Sequence, residues 1–178
     1  MRRSYFIITL TILIGCFMSV TAGAQVKKKD TKKETKKETG KVVTVREGVG
    51  FNGLTVGRST MADVVKKYGK GYNWKAFKKY SFSMAYPKLG LAFYMCQSDK
   101  KKQIFDIEIR APFQAKTSKG IVLSQSTLEN VYKIYGKNAD GGLQYRGVSF
   151  FYAKNKGKNV ITVIDIVESS GIRQCSEK

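Results

Sequence analysis

The apolar positions of this chain follow two periods, and each period occurs twice. Apolar residues fall at Met61, Val64, Val65 and Tyr68, and again at Leu128, Val131, Tyr132 and Tyr135. That i, i+3, i+4, i+7 spacing predicts one buried stripe on a two-turn helix. Each stripe lies in a longer stretch that repeats without a gap. Gly53 to Gly69 reads GLTVGRSTMADVVKKYG, and Gly120 to Gly136 reads GIVLSQSTLENVYKIYG. Ser59-Thr60 and Ser126-Thr127 stand just before the stripes, where a hydroxyl can accept an orphan N–H of a first helical turn. Ser126 with Glu129 predicts a capping box in the second copy, and Thr60 with Asp63 a shifted one in the first. Gly69 and Gly136 sit where a helix ends on a left-handed residue. Helices this short are marginal alone, so a sheet must supply the surface against which they pack.

The second period is two. Phe105, Ile107 and Ile109 face one way along a strand, and Asp106, Glu108 and Arg110 the other. This run, from Ile104 to Ile109, matches Ile161 to Ile166, and Leu91 to Met95 matches Val148 to Tyr152. The helical stretches are offset by 67 positions and the strands by 57, so the first copy holds about ten additional residues, around Gly71 to Tyr80. Short helices joined to half-polar, alternating strands predict an α+β domain, in which two pseudo-repeats of a short helix plus antiparallel strands share one sheet and core. The repeats span about 49–112 and about 118–170.

Composition adds a compartment. Met1-Arg2-Arg3, the apolar run from Tyr5 to Val20, and Ala22-Gly23-Ala24 read as a secretory signal peptide over 1–24. Leu13-Ile14-Gly15-Cys16 also has the form of a bacterial lipobox, in which Cys16 would be lipidated. The expected location is periplasmic or extracellular, or the outer membrane through a lipid on Cys16. Residues 25–48, which contain VKKKDTKKETKKETGK from Val26 to Lys41, are expected to form a disordered, Lys-rich tether; the domain then covers 49–178. The net charge of +20 falls to +18 without Arg2 and Arg3, which favours anionic partners. Cys96 and Cys175 remain in the exported part, either bonded to each other or as two free thiols.

The chain has no histidine. Ser-His-Asp and Cys-His nucleophiles and histidine metal ligands are therefore excluded. No CxxC pair marks a zinc site, and GKGYN at Gly69 and DGG at Asp140 lack phosphate-loop spacing and read as turns. Glu108 and Asp165 are repeat equivalents on polar strand faces, where paired carboxylates could do glycosidase-like acid/base work. A solvated strand face interleaved with lysines explains them more simply. No catalytic residue, cofactor, metal or small-molecule substrate is expected.

The stretch from Lys70 to Lys88 alternates aromatics with lysines and contains the only Trp. Tyr80, Phe82, Met84 and Tyr86 read as alternating residues of a hairpin. Tyr72, Trp74 and Phe77, with Lys75, Lys78 and Lys79, have no counterpart in the second copy, so the shared fold does not require them. Aromatics beside cations suit protein hot spots, stacked rings and membrane interfaces. These six are the candidate partner-binding residues.

Gly57, Ser59, Thr60, Val64, Gly69, Gly90 and Phe93, with Ser126, Thr127, Val131, Gly136, Gly147 and Phe150, form a pattern over Gly53 to Val167. It resembles the BamE/SmpA-like small envelope lipoproteins and their doubled relative, the β-lactamase-inhibitor-protein-like fold. Ser124 departs from it where the first copy has Gly57. The resemblance implies a non-enzymatic exported module that binds an envelope or secreted protein. The rival expectation is a basic surface module binding an anionic envelope polymer or lipid headgroups.

Overall fold

Both apolar stripes are helical, but strands dominate the chain. The computed structural model describes residues 41–78, 80–170 and 175, the side chain of Phe77 excepted. The signal-peptide segment, Cys16, the stretch from 25 to 40 and Lys79 lie outside the described residues. In chain order the elements are β1 (Val43–Arg46), β2 (Gly50–Phe51), β3 (Leu54–Thr55), α1 (Met61–Tyr68), β4 (Asn73–Phe77), β5 (Ser81–Tyr86), β6 (Leu91–Cys96), β7 (Ile104–Arg110), β8 (Ala115–Thr117), α2 (Leu128–Tyr135), β9 (Gln144–Tyr145), β10 (Val148–Asn155) and β11 (Lys158–Val167).

The expected α+β class is overturned. The structure is mostly β, at 45% strand against 12% helix. Nor do the strands form one sheet. Seven make an antiparallel sheet in the order β4-β5-β6-β7-β11-β10-β9, and four make a mixed sheet in the order β3-β2-β1-β8. Within the small sheet, β1 runs parallel to β8, with Val43 opposite Ala115. The expected tether is corrected at its end: Val43 to Arg46 form a strand, and Val45 is fully buried. Glu47, in the same stretch, accepts hydrogen bonds from the hydroxyls of Ser118 and Tyr135. Burial opposes its ionisation, but these bonds outweigh it and hold the carboxyl below its ordinary range.

The helix ends explain how local chemistry positions each half. Thr60 caps α1, accepting from Asp63 N–H while the Asp63 carboxylate accepts from Thr60 N–H at 2.8 Å. In α2 the cap is Thr127 with Asn130, at 2.8 Å, and not Ser126 with Glu129. The serines serve one step earlier. Ser59 Oγ accepts from Thr55 N–H at 3.0 Å, and Ser126 Oγ accepts from Val122 N–H at 2.9 Å. The helices end at carbonyls claimed by tyrosines, since the hydroxyls of Tyr86 and Tyr145 donate to Gly69 O and Gly136 O, each at 2.7 Å. Behind them the rings of Tyr68, Tyr86 and Phe93 pack together, as do those of Tyr135, Tyr145 and Phe150.

The two halves join at β7 and β11, where Ile107 lies opposite Ile166, Glu108 opposite Asp165 and Ile109 opposite Ile164. One core cluster runs through Met84, Phe93, Ile107, Phe150 and Ile164 and continues into Val45, Phe51 and Leu54 of the small sheet. Each such side chain stabilises the fold by roughly 1.5–3 kcal/mol through removal from water. The sheets also meet at Gly147, whose carbonyl accepts from Gly48 N–H at 2.8 Å. A Cβ on Gly147 would lie 2.3 Å from that nitrogen, so only glycine permits the approach.

Ser124 takes the place of Gly57 without changing the backbone. Gly57 has φ 76° and Ser124 φ 63°, and their N–H groups donate to Ile104 O and Ile161 O at 2.7 and 2.8 Å. A side chain at positive φ costs about 1 kcal/mol or more, partly offset by the greater unfolded-state freedom of glycine. Ser124→Gly is therefore expected to raise stability by about 0.5 kcal/mol in urea unfolding. A loss of stability would show that the hydroxyl contributes more than the strain removes.

Candidate functional site

The residues that exist only in the first half form an edge strand. β4 pairs with β5 on one side, placing Trp74 opposite Met84 and Lys75 opposite Ser83, and no described strand lies on its other side. Trp74 shares a sheet face with Met84 and Phe82, because period two puts these residues on one side. Its indole stacks on the buried Phe82 ring, with centroids 5.9 Å apart and planes 23° apart, yet 56% of the residue is exposed. A Trp supported from behind and open in front is held in place without being covered.

The six candidate residues do not gather on one surface. Tyr72 is half-buried and packs 6.0 Å from the Tyr86 ring, so it belongs as much to the core as to the edge. Lys75 points to the face opposite Trp74. Lys78, exposed in the turn after β4 at φ 50°, lies near enough to Asp106 to favour its charged form. Lys79 and the Phe77 side chain are outside the described residues. Tyr72 and Trp74 thus flank one side of the edge, and the described lysines serve the other.

That other face carries an acidic cluster at the junction of the halves. Glu108 lies directly opposite Asp165, with Asp106 two residues along the same strand face. The Tyr94 hydroxyl donates to Glu108 Oε2 at 3.0 Å, and the Arg110 guanidinium pairs with Glu108 Oε1. Asp106 Oδ1 and Asp165 Oδ1 are buried with no hydrogen-bond partner among the described residues. Burial, then the charges of the neighbouring carboxylates, push Asp106 and Asp165 well above the ordinary carboxylate range. Burial and the adjoining Glu108 likewise raise Tyr94. The solvated strand face expected from the sequence is instead a partly buried one. An open groove of about 490 Å³ lies elsewhere, lined by residues including Arg58, Ser59, Asp63, Lys66 and Lys67, and none of the three carboxylates lines it.

Two further features bear on where a partner could sit. Cys96, which ends β6, is bonded to Cys175, with Cα atoms 5.3 Å apart. At the far end of the large sheet, Phe151 and Tyr152 of β10 are 52% and 48% exposed. The sequence signal for them is the run Phe150-Phe151-Tyr152 followed by Lys154, Lys156 and Lys158, in a stretch from Gly141 to Ile164 without a single acid. Among the described residues, no group of carboxylates and cysteines is arranged to hold a metal ion, and no helix is long and apolar enough to cross a membrane. Comparison with protein-family models, with curated proteins and with solved structures found no match to this chain.

Proposed function

We propose that this chain is an exported binding module of the bacterial cell envelope that acts by protein–protein contact, without catalysis of its own. The observation that carries the proposal is Trp74: a large ring, supported by Phe82 and more than half exposed, on an edge strand that the second half of the molecule lacks. Trp is among the residues that most often anchor protein interfaces, because it offers a large rigid surface at low entropic cost. The Cys96–Cys175 bond is in keeping with an oxidising compartment. The resemblance of the sequence pattern to small envelope lipoproteins points the same way.

The test is cross-linking capture from envelope fractions at low and at high salt, comparing the mature protein with Trp74→Ala. Trp74 packs on the surface of Phe82, so this substitution leaves the core in place. One protein is expected at both salt concentrations, with its recovery falling about tenfold in the variant, as for a hot-spot residue. Diffuse capture that collapses with salt and ignores Trp74 would favour a basic module on an anionic polymer or on lipid headgroups, because charge-driven binding is screened.

A further inference from the structure

Repeat symmetry makes β10 the counterpart of β6, but their surroundings differ. Along its whole length β6 is flanked by β5, from Ser81 opposite Cys96 to Tyr86 opposite Leu91. Among the described residues, β10 has on its outer side only β9, which pairs with Val148 and Ser149, and one more bond from Phe150 N–H to Leu143 O at 3.0 Å. Beyond Phe150 no described strand covers that side. The extra residue at the irregularity between β10 and β11 is Thr162 of β11, since Phe151 lies opposite Val163 and Tyr152 opposite Ile161. The alternation within β10 is therefore uninterrupted. Because Phe150 directs its N–H toward β9, Tyr152 and Lys154 direct theirs outward as well.

The open edge is also strongly one-signed. Lys154, Lys156 and Lys158 lie on the hairpin, all exposed, and Arg146 adds to them at the β9–β10 turn. The nearest acids in sequence are Asp140 and Asp165. Proteins commonly protect an open edge with lysines, and here the lysines repel a second copy of the same edge. An acidic strand meets the opposite situation. It would find unpaired N–H and C=O groups at strand spacing, cations on the hairpin, and Phe151 and Tyr152 on the two faces for its alternate side chains.

We infer that the outer edge of β10, from Phe151 to Asn155, accepts an extended acidic peptide segment of a partner as an additional antiparallel or parallel strand. This rests on the reading of the chain as a protein-binding module, but it concerns the end of the sheet away from Trp74. The test uses the purified mature protein and a nine-residue peptide of alternating Glu and Val, followed by amide NMR and exchange. Tyr152 and Lys154 amides are expected to shift and to gain protection. The same peptide N-methylated at alternate residues, so that it cannot pair along one side, should bind at least about tenfold more weakly. Lys154→Pro removes the outward N–H and should weaken binding by a similar factor relative to Lys154→Ala, which loses the same charge but keeps the donor. Equal binding of the methylated peptide, shifts located away from β10, or binding that tracks charge alone would each overturn the inference. The N-methylated peptide tests it on the unaltered protein, so a poorly folded proline variant does not blur the result. Peptide binding at β10 with no Trp74-dependent capture would sink only the role given above to Trp74. Capture that depends on Trp74, without peptide binding, would sink only this one.

Discussion

Replacing both Cys96 and Cys175 with Ser lowers the stability of the folded protein by about 4 kcal/mol. The bond closes a loop of 79 residues, and the chain-entropy cost of closing such a loop in the unfolded state is on the order of 4–5 kcal/mol. That loop holds β7, β8, α2 and β9 to β11, so the bond ties the end of the chain to β6 across the entire second half. Chemical unfolding of the double variant against the oxidised protein measures the effect, and reduced wild-type protein should unfold at the same denaturant concentration as the variant. A difference under about 1 kcal/mol would mean that the unfolded chain is already compact enough to hold these ends together.

The acidic cluster gives the second large effect, and its sign is opposite to the usual one. Asp106 and Asp165 are raised to about 7 and about 8, first by burial, then by neighbouring carboxylates, with Lys78 and Arg110 opposing. In the unfolded chain both ionise near pH 4. Between about pH 4 and pH 8 the folded state therefore binds more protons than the unfolded state, and stability falls as the pH rises through that window. Below the window both states are protonated and the penalty vanishes. The protein is expected to be more stable at pH 5 than at pH 8, by on the order of 3 kcal/mol. Asp165→Asn should remove roughly half of that slope and stabilise the protein at pH 8, with little change at pH 5. Denaturant midpoints measured at both values test this directly. A wild-type curve that is flat, or that rises with pH, would mean that water or a cation reaches these carboxylates and holds them charged.

The two helices were legible in the sequence because their signal is local and redundant. Met61, Val64, Val65 and Tyr68 mark one face, and a hydroxyl fixes the first turn. The N-cap of α2 was misplaced by one residue because Ser126 and Thr127 offer the same chemistry. Their roles separate only when Ser126 turns back to Val122. The small sheet is not legible in the sequence, and without it the two helical stripes stand out more than their 12% of the chain. Its strands have two to four residues, too few to show a period, and β1 finds β8 some seventy positions away.

The candidate site divides in the same way. Trp74 stood out because it lies in residues that one repeat has and the other lacks. That β4 is an edge, and that Trp74 and Lys75 face opposite sides of it, depend on strand order and pairing. Repeat logic was misleading at β10. It aligns Tyr152 with Met95, which is fully buried, whereas Tyr152 is half exposed. The difference lies in the neighbours, since β5 flanks all of β6 and β9 flanks only two residues of β10.

The β7–β11 junction, with Glu108 facing Asp165, has the form of a symmetric subunit contact carried within one polypeptide. A dimer built through such a contact would dissociate on dilution, whereas here the partner is always present at the effective concentration set by the linking chain. Fusion also ends the obligation to change both halves together. In a dimer of identical subunits every substitution appears twice; in the fused chain one half can carry β4 and Trp74 while the other carries Ser124 and an uncovered β10. The price of that freedom is that neither half retains a twin to complete it, so each is committed to the other.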